Sequence, residues 1–200
     1  MIKPYYEENG ISIYHGDCRE ILPELEPVDL VLTDPPYGIY ASGGKWGKKY
    51  KLQWDKEPFG DIESILSAGK EAVIWGGNYY QLRPSRGWLV WHKRDRVITT
   101  ADVELAWTSR DMNARLIDCT IAQTNPERTG HPTQKPLKVI RWSLSFFPDA
   151  TTVLDPFMGS GTTLRAAKDL HKKAIGIEIE EKYCEIAVKR LAQGVLDFAS

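Results

Sequence analysis

The sequence predicts an α/β domain built on a mostly parallel, twisted sheet with helices on both faces. Three observations predict it. Short apolar runs rich in β-branched and aromatic residues alternate with stretches of helical period. Several runs, such as Val28-Asp29-Leu30-Val31-Leu32, are too continuously apolar for a strand with one wet face. Two of the runs lead directly into turns made of Pro or Gly, and in open parallel sheets ligands bind outside the carboxyl ends of the strands.

In chain order, strands are expected over 11–14, 28–32, 72–75, 88–91, 103–107, 152–154 and 174–177. Helices are expected over 19–25, 61–69, 137–147, 162–170 and 180–192. Three stretches break the alternation: 37–59, rich in Gly, Lys and aromatics; 109–129, polar and irregular; and 131–136. Trp75, Trp88 and Trp91 fall in strand-like runs and are expected in the core. A chain of 200 residues suits one core. A single domain is therefore expected, with one half over about 1–108, a short variable segment over about 109–130 and a second half over about 131–200.

Composition excludes several classes. With 42% hydrophobic and 26% charged residues the chain reads as globular, and no apolar run approaches the roughly 18 residues of a membrane-spanning helix. The start, Met1-Ile2-Lys3-Pro4-Tyr5, lacks the apolar core of a secretory signal, so the cytoplasm is the expected location. Cys18, Cys119 and Cys184 are too few and too widely spaced for a disulfide framework or a paired-Cys zinc site. His15, His92, His131 and His171 show no metal-ligand spacing, and no metal is expected. The formal net charge of −1 rules out coating of nucleic acid by bulk charge. Local asymmetry is sharper: residues 1–30 are acidic, whereas 45–51 carries four lysines and no acid.

After the strand at 152–154 comes Asp155-Pro156-Phe157-Met158-Gly159-Ser160-Gly161-Thr162-Thr163, and then a helix. The glycines let the backbone turn tightly and leave room for a ligand at the helix N-terminus. Glu178 closes the next strand 19 residues after Gly159, near the roughly 20 expected of an acid that binds ribose hydroxyls. An adenosine-containing cofactor is the reading. Leu164 stands where a dinucleotide fingerprint wants Gly or Ala, and Asp155 would repel a pyrophosphate, so a cationic or zwitterionic cofactor fits better. The bland alternative for Gly159 and Gly161 is an ordinary tight turn.

After the strand at 28–32 comes Thr33-Asp34-Pro35-Pro36-Tyr37-Gly38. Two prolines stiffen the backbone and remove two N–H donors, leaving a rigid, acceptor-rich segment. The Asp34 carboxylate and the Pro35 carbonyl can accept both hydrogens of an exocyclic amine, while Tyr37 offers a flat face to an extruded base. The lone pair of such an amine is delocalised into its ring, and two acceptors that favour a pyramidal nitrogen restore electron density as a methyl arrives. Alone, the tetrapeptide is also a Pro-rich turn with an Asp cap.

Together these motifs resemble the DNA amino-methyltransferases that use S-adenosylmethionine, in the permuted order where Asp34-Pro35-Pro36-Tyr37 precedes the Gly-rich motif. The resemblance covers most of the chain and implies a Rossmann-like class I methyltransferase fold. It implies that Gly16-Asp17-Cys18 meets the cofactor's adenine. It implies that His131-Pro132-Thr133-Gln134-Lys135-Pro136 lines the methionine part of the pocket, with His131, Thr133 and Lys135 as the contacts. Asp34, Asp155, Phe157, Gly159, Ser160, Gly161, Thr162 and Glu178 complete that pocket by the same resemblance. Trp75-Gly76-Gly77-Asn78-Tyr79-Tyr80 and Glu104-Leu105-Ala106-Trp107-Thr108-Ser109 resemble the family's middle segments. Aspartate at 34 leans the family reading toward the N6 amine of adenine; N4 of cytosine, an RNA base or a protein amide stay open, as does a non-catalytic cofactor- or DNA-binding module.

Many relatives carry a long target-recognition region where this chain has only 110–130, which is too short for a domain. DNA reading then falls to loops. The segment from Ser42 to Lys51 interleaves Lys45, Lys48, Lys49 and Lys51 with Trp46 and Tyr50, suiting phosphate contact and stacking in double-stranded DNA; without that context it is also an ordinary solvated loop. Arg83, Arg86, Lys93, Arg94 and Arg96 are a second candidate track. The resemblance also admits a homodimer, and the small size suits a phage or restriction-modification setting.

Overall fold

The computed structural model describes residues 2–38, 57–94, 101–120 and 134–192. One sheet of nine strands runs through it, in the order β1-β2-β9-β8-β3-β4-β6-β5-β7. The strands are β1 (Tyr6–Glu8), β2 (Ile11–His15), β3 (Val28–Thr33), β4 (Gly69–Trp75), β5 (Trp88–His92), β6 (Val103–Thr108), β7 (Arg115–Asp118), β8 (Thr152–Asp155) and β9 (Lys173–Glu178). The pairs from β2 through β9, β8 and β3 to β4 are all parallel, while β6 is antiparallel to both β4 and β5. The helices are α1 (Cys18–Ile21), α2 (Ile62–Ser67), α3 (Leu137–Leu144), α4 (Thr162–Asp169) and α5 (Glu181–Leu191).

The continuous apolar runs are explained by burial of both sheet faces. Leu30, Leu32, Val73, Trp75 and Val153 pack with Val139, Ile140, Leu164, Ala187 and Leu191 of α3, α4 and α5. The alternate residues Val31, Ala72, Ile74, Leu154 and Ile177 pack on the other face with Cys18, Ile21 and Ile65 of α1 and α2. Trp75 and Trp91 are buried as expected, and Trp88 is half-buried.

Side-chain staples fix the register. One Asp29 carboxylate oxygen accepts from the backbone N–H of Thr151 at 2.9 Å and of Thr152 at 3.1 Å, and from both threonine hydroxyls, tying β3 to β8. Arg110 forks onto Glu71 at 2.7 and 2.6 Å and stacks over Phe147, 4.5 Å from its ring centroid, locking the end of β6 to β4 and the turn after α3. Asp17 and Asp61 cap α1 and α2 by accepting from the N–H of Arg19 and Ser64.

Two differences from the sequence reading have local causes. The helix expected over 19–25 is α1 followed by a 3-10 turn, Leu22–Glu24, because Pro23 supplies no N–H to continue it. The stretch read as irregular over 109–129 contains β7, an edge strand whose side chains are mostly exposed and so show no apolar alternation. The short β1 at the opposite edge was also not legible from pattern. Among the described residues no helix is long and apolar enough to cross a membrane, and all three cysteines are buried.

The topology selects one place for a site. From β8 the chain passes through α4 to β9 on one side, and from β3 through α2 to β4 on the other. The crevice between the carboxyl ends of β8 and β3, where the connections diverge, is where ligands bind in such sheets. Asp155 ends β8 and Asp34 follows β3.

Candidate active site

Four adjacent parallel strands end in carboxylates. Asp17 follows β2, Glu178 ends β9, Asp155 ends β8 and Asp34 follows β3, in that spatial order. Gly16, with φ +152°, turns the chain after β2 and donates its N–H to the Glu178 carbonyl at 2.9 Å, so the first two acids sit side by side. The Glu178 carboxylate accepts from the Gly159 N–H at 3.0 Å and the Glu180 N–H at 2.8 Å. It thereby holds the glycine turn, in which Gly159 and Gly161 have φ +51° and +76°. Asp155 accepts from the Thr33 hydroxyl at 2.7 Å and the Phe157 N–H at 3.1 Å. Ser160 donates to Gln134 at 3.2 Å, which brings the lead-in to α3 onto the turn.

The remaining residues named for the cofactor divide. Phe157 is half-buried and meets Phe59 edge-on, with centroids 5.0 Å apart. The Thr162 hydroxyl accepts from Arg190 of α5 at 2.8 Å and so serves helix packing. Cys18 is buried, and burial pushes its thiol up to about 12, with Asp17 adding to the effect. Asp17 pairs with the exposed Arg19, which holds its carboxyl below the ordinary range. His131 and Thr133 lie outside the described residues, as do Lys45, Trp46, Lys48, Lys49 and Lys51.

The segment from Asp34 to Tyr37 is braced from the far side of the crevice. The Pro36 carbonyl accepts from the Phe59 N–H at 3.1 Å and from the Tyr80 hydroxyl. The Tyr37 ring stacks on the exposed Tyr79, centroids 5.0 Å apart and planes 20° from parallel. Gly76, just past β4 with φ +68°, lets the Tyr37 ring lie against its backbone. The Tyr37 hydroxyl donates to one Asp34 carboxylate oxygen and the Lys135 ammonium donates to the other. Each oxygen keeps a further lone pair for an incoming amine.

Burial pushes the Asp34 carboxyl up to about 6, against the pull of Lys135 and with Glu104 and Asp155 adding to the rise. Burial likewise raises Asp155, opposed by Thr163, Thr33 and the Phe157 N–H. It raises Glu178 too, opposed by the N–H groups of Glu180 and Gly159.

Glu104 and Lys93 join Lys135 behind Asp34; the sequence named Glu104, Gly76, Tyr79 and Tyr80 only as parts of middle segments and Lys93 only in a basic track. The signal available was a pair of glycines directly after the strand at 72–75. In the second basic track Arg86 pairs with Asp111, Lys93 with Glu104 and Arg94 with Asp118, and Arg83 donates to the Ser109 carbonyl. These cations face acceptors of their own chain, which leaves less charge for phosphates than the sequence suggests. Arg96 lies outside the described residues.

Comparison with known proteins identifies the relatives. A family model described as DNA methylase matches residues 85–189. The type II methyltransferase M.ScaI of Streptomyces caespitosus is 28% identical, the match covering 94% of this chain and 84% of that protein. M2.DpnII of Streptococcus pneumoniae is also 28% identical, over 96% of this chain and 93% of its own. The alignment with M.ScaI runs over 258 positions although this chain has 200 residues, so that relative carries inserted segments. Among solved structures, the M1.HpyAVI–SAM complex superposes with a TM-score of 0.62 at 27% identity, covering 92% of this chain and all of that one. The cytosine-N4-specific PvuII methyltransferase shares the fold, with a TM-score of 0.64 at 17% identity over 98% of this chain and 91% of its own.

The donor set agrees with the SAM held in the M1.HpyAVI complex. A rim of four carboxylates, whose nearby Lys135 is already paired, suits a ligand carrying a sulfonium and an ammonium and disfavours a pyrophosphate. By its family match, its fold and this acidic rim, the chain belongs to the DNA methylase family, as an S-adenosylmethionine-dependent DNA amino-methyltransferase.

Proposed function

We propose that the enzyme methylates the N6 amine of adenine at specific sites in double-stranded DNA, with Asp34 and the Pro35 carbonyl as acceptors for the amine and Tyr37 as its stacking partner. The observation that carries the reading is the placement of a half-buried, acceptor-rich Asp34 segment across one crevice from the glycine turn. When bound, S-adenosylmethionine supplies an electrophilic methyl group. The chain's part is to hold the amine in line with it. Asp34 draws on the amine's hydrogens, and its carboxyl, pushed up to about 6 by burial, is matched to accept the proton that the methylated nitrogen sheds.

Asp17 and Glu178 are proposed to face the adenosine part of the cofactor, and the segment from His131 to Lys135 its methionine part. Lys45, Trp46, Lys48, Lys49 and Lys51 are proposed to meet the DNA. The chain works as one domain in this reading: β8 and β9, from the half after 130, insert between β2 and β3 of the first half. The motif order is read as permuted because the Asp34 segment precedes the glycine turn. A homodimer would enlarge the DNA footprint of so short a chain.

The test is transfer of labelled methyl from S-adenosylmethionine to unmethylated duplex DNA, followed by digestion and identification of the modified nucleoside by mass. N6-methyladenine is the expected product. N4-methylcytosine would keep the mechanism and overturn the choice of base, and transfer to RNA or protein alone would overturn the substrate.

A further inference from the structure

Behind Asp34 lies a line of alternating charges drawn from β6, the ends of β3 and β5, and the segment before α3. The Lys135 ammonium donates to Asp34, lies 3.0 Å from one oxygen of Glu104 and reaches the Tyr37 hydroxyl at 3.3 Å. The other oxygen of Glu104, on β6, pairs with Lys93, just past β5, at 2.5 Å. Two carboxylates and two ammoniums thus balance in charge. Lys135 has three N–H donors and three oxygen neighbours, so its ammonium is fully directed. Two indoles back the lysines: Lys135 is 5.6 Å from the Trp75 ring centroid, and Lys93 is 5.1 Å from that of Trp91. Lys135 is buried, and it reaches Asp34 from the segment before α3, outside the sheet, so its ammonium is placed by the groups it meets. Glu104, on β6, is the one of these that lies outside the Asp34 segment itself.

We propose that Glu104 is a positioning residue for methyl transfer: it holds the Lys135 ammonium against Asp34 and so sets the orientation in which that carboxylate meets the target amine. The proposal rests on the reading of Asp34 as the amine's acceptor. Electrostatics agree with it. Burial works against the Glu104 carboxylate, yet Lys135 and Lys93 hold it below the ordinary range, so it stays charged across the working pH of the enzyme. The charged groups that face Asp34 are Lys135, Glu104 and Asp155, with the Tyr37 hydroxyl beside them.

The test uses E104A and E104Q of the full chain, with kcat and KM on duplex DNA, the affinity for S-adenosylmethionine, and the pH profile of kcat/KM. In E104A, kcat is expected to fall by roughly 10- to 100-fold, the scale of a misplaced catalytic group, with cofactor affinity unchanged. Loss of the Glu104 charge by itself lowers the Asp34 carboxyl, but the pull of Lys135 on Asp34 is the larger and is lost when Lys135 swings free, so the acid limb is expected to move to higher pH, whereas a Lys135 that stays in place would move it lower. E104Q keeps an oxygen for Lys135 and is expected to recover part of the rate. Unchanged kcat with an unmoved acid limb, a limb that moves to lower pH, or a loss explained wholly by weaker cofactor binding would each overturn the proposal. Should E104A fail to fold, a wild-type kcat in E104L, which keeps the bulk but offers Lys135 no oxygen, would overturn it instead. An active D34A variant would overturn the underlying reading of Asp34, whereas an inactive D34A beside a fully active E104A would overturn only the positioning role.

Discussion

A Cβ atom at Gly76 would lie 2.0 Å from Cε1 of the Tyr37 ring, so the catalytic segment and the turn after β4 are packed backbone against ring. Position 76 also has φ +68°, a conformation that costs other L-residues about 1–2 kcal/mol. G76A is therefore expected to lose both stability and rate, since the ring must move for the methyl group to fit. Thermal unfolding and kcat at a temperature where the variant is folded measure the two effects. A variant with lowered Tm and normal kcat would show that the placement of Tyr37 is not limiting.

The pH dependence of activity follows from Asp34. Its carboxyl is pushed up to about 6 by burial, and its proposed role, gripping the amine's hydrogens and taking up a proton, needs the ionised form. Below that pH, kcat/KM is expected to fall by about tenfold per unit, with a midpoint well above the ordinary carboxylate range. A profile flat down to pH 5 would contradict this.

Stability should respond to a different acid. Lys70, Thr151 and Thr152 hold Asp29 well below its ordinary value. For a depressed carboxyl the stabilisation is present above the unfolded value and is lost as pH falls toward the folded one. D29N is thus expected to melt below the wild type at neutral pH, and the gap should narrow as pH drops below about 4. A gap that stays constant with pH would assign the effect of D29N to packing.

Much of the fold was legible because it is local. The runs at 28–32 and 72–75 announced buried strands, and each was followed by its Pro or Gly signal. The Asp34 segment and the glycine turn were legible for the same reason. The contacts behind Asp34 were not, since Lys135 reaches that carboxylate and Glu104 reaches Lys135 from distant segments that meet only in the tertiary fold, which periodicity does not encode. The edge strand Arg115–Asp118 escaped because an exposed edge imposes no apolar pattern. Thr162 belonged to a legible motif, yet its hydroxyl serves Arg190, a role visible only once α4 and α5 pack.

The proposed DNA contacts predict a salt signature. Replacing Lys45, Lys48, Lys49 and Lys51 together with Ala should raise KM for DNA and leave cofactor binding alone. The slope of log kcat/KM against log salt should shrink by about 0.9 for each phosphate contact removed. An unchanged slope would place the phosphate contacts elsewhere.

Asp34 itself is the most direct test. Single-turnover methyl transfer by D34A, run beside calorimetric titration with S-adenosylmethionine, separates the acceptor role from cofactor binding. The expected result is a rate lower by roughly 100- to 1,000-fold or more, with cofactor affinity close to wild type. Near-normal transfer by D34A would contradict the assignment of Asp34 as the group that grips the target amine.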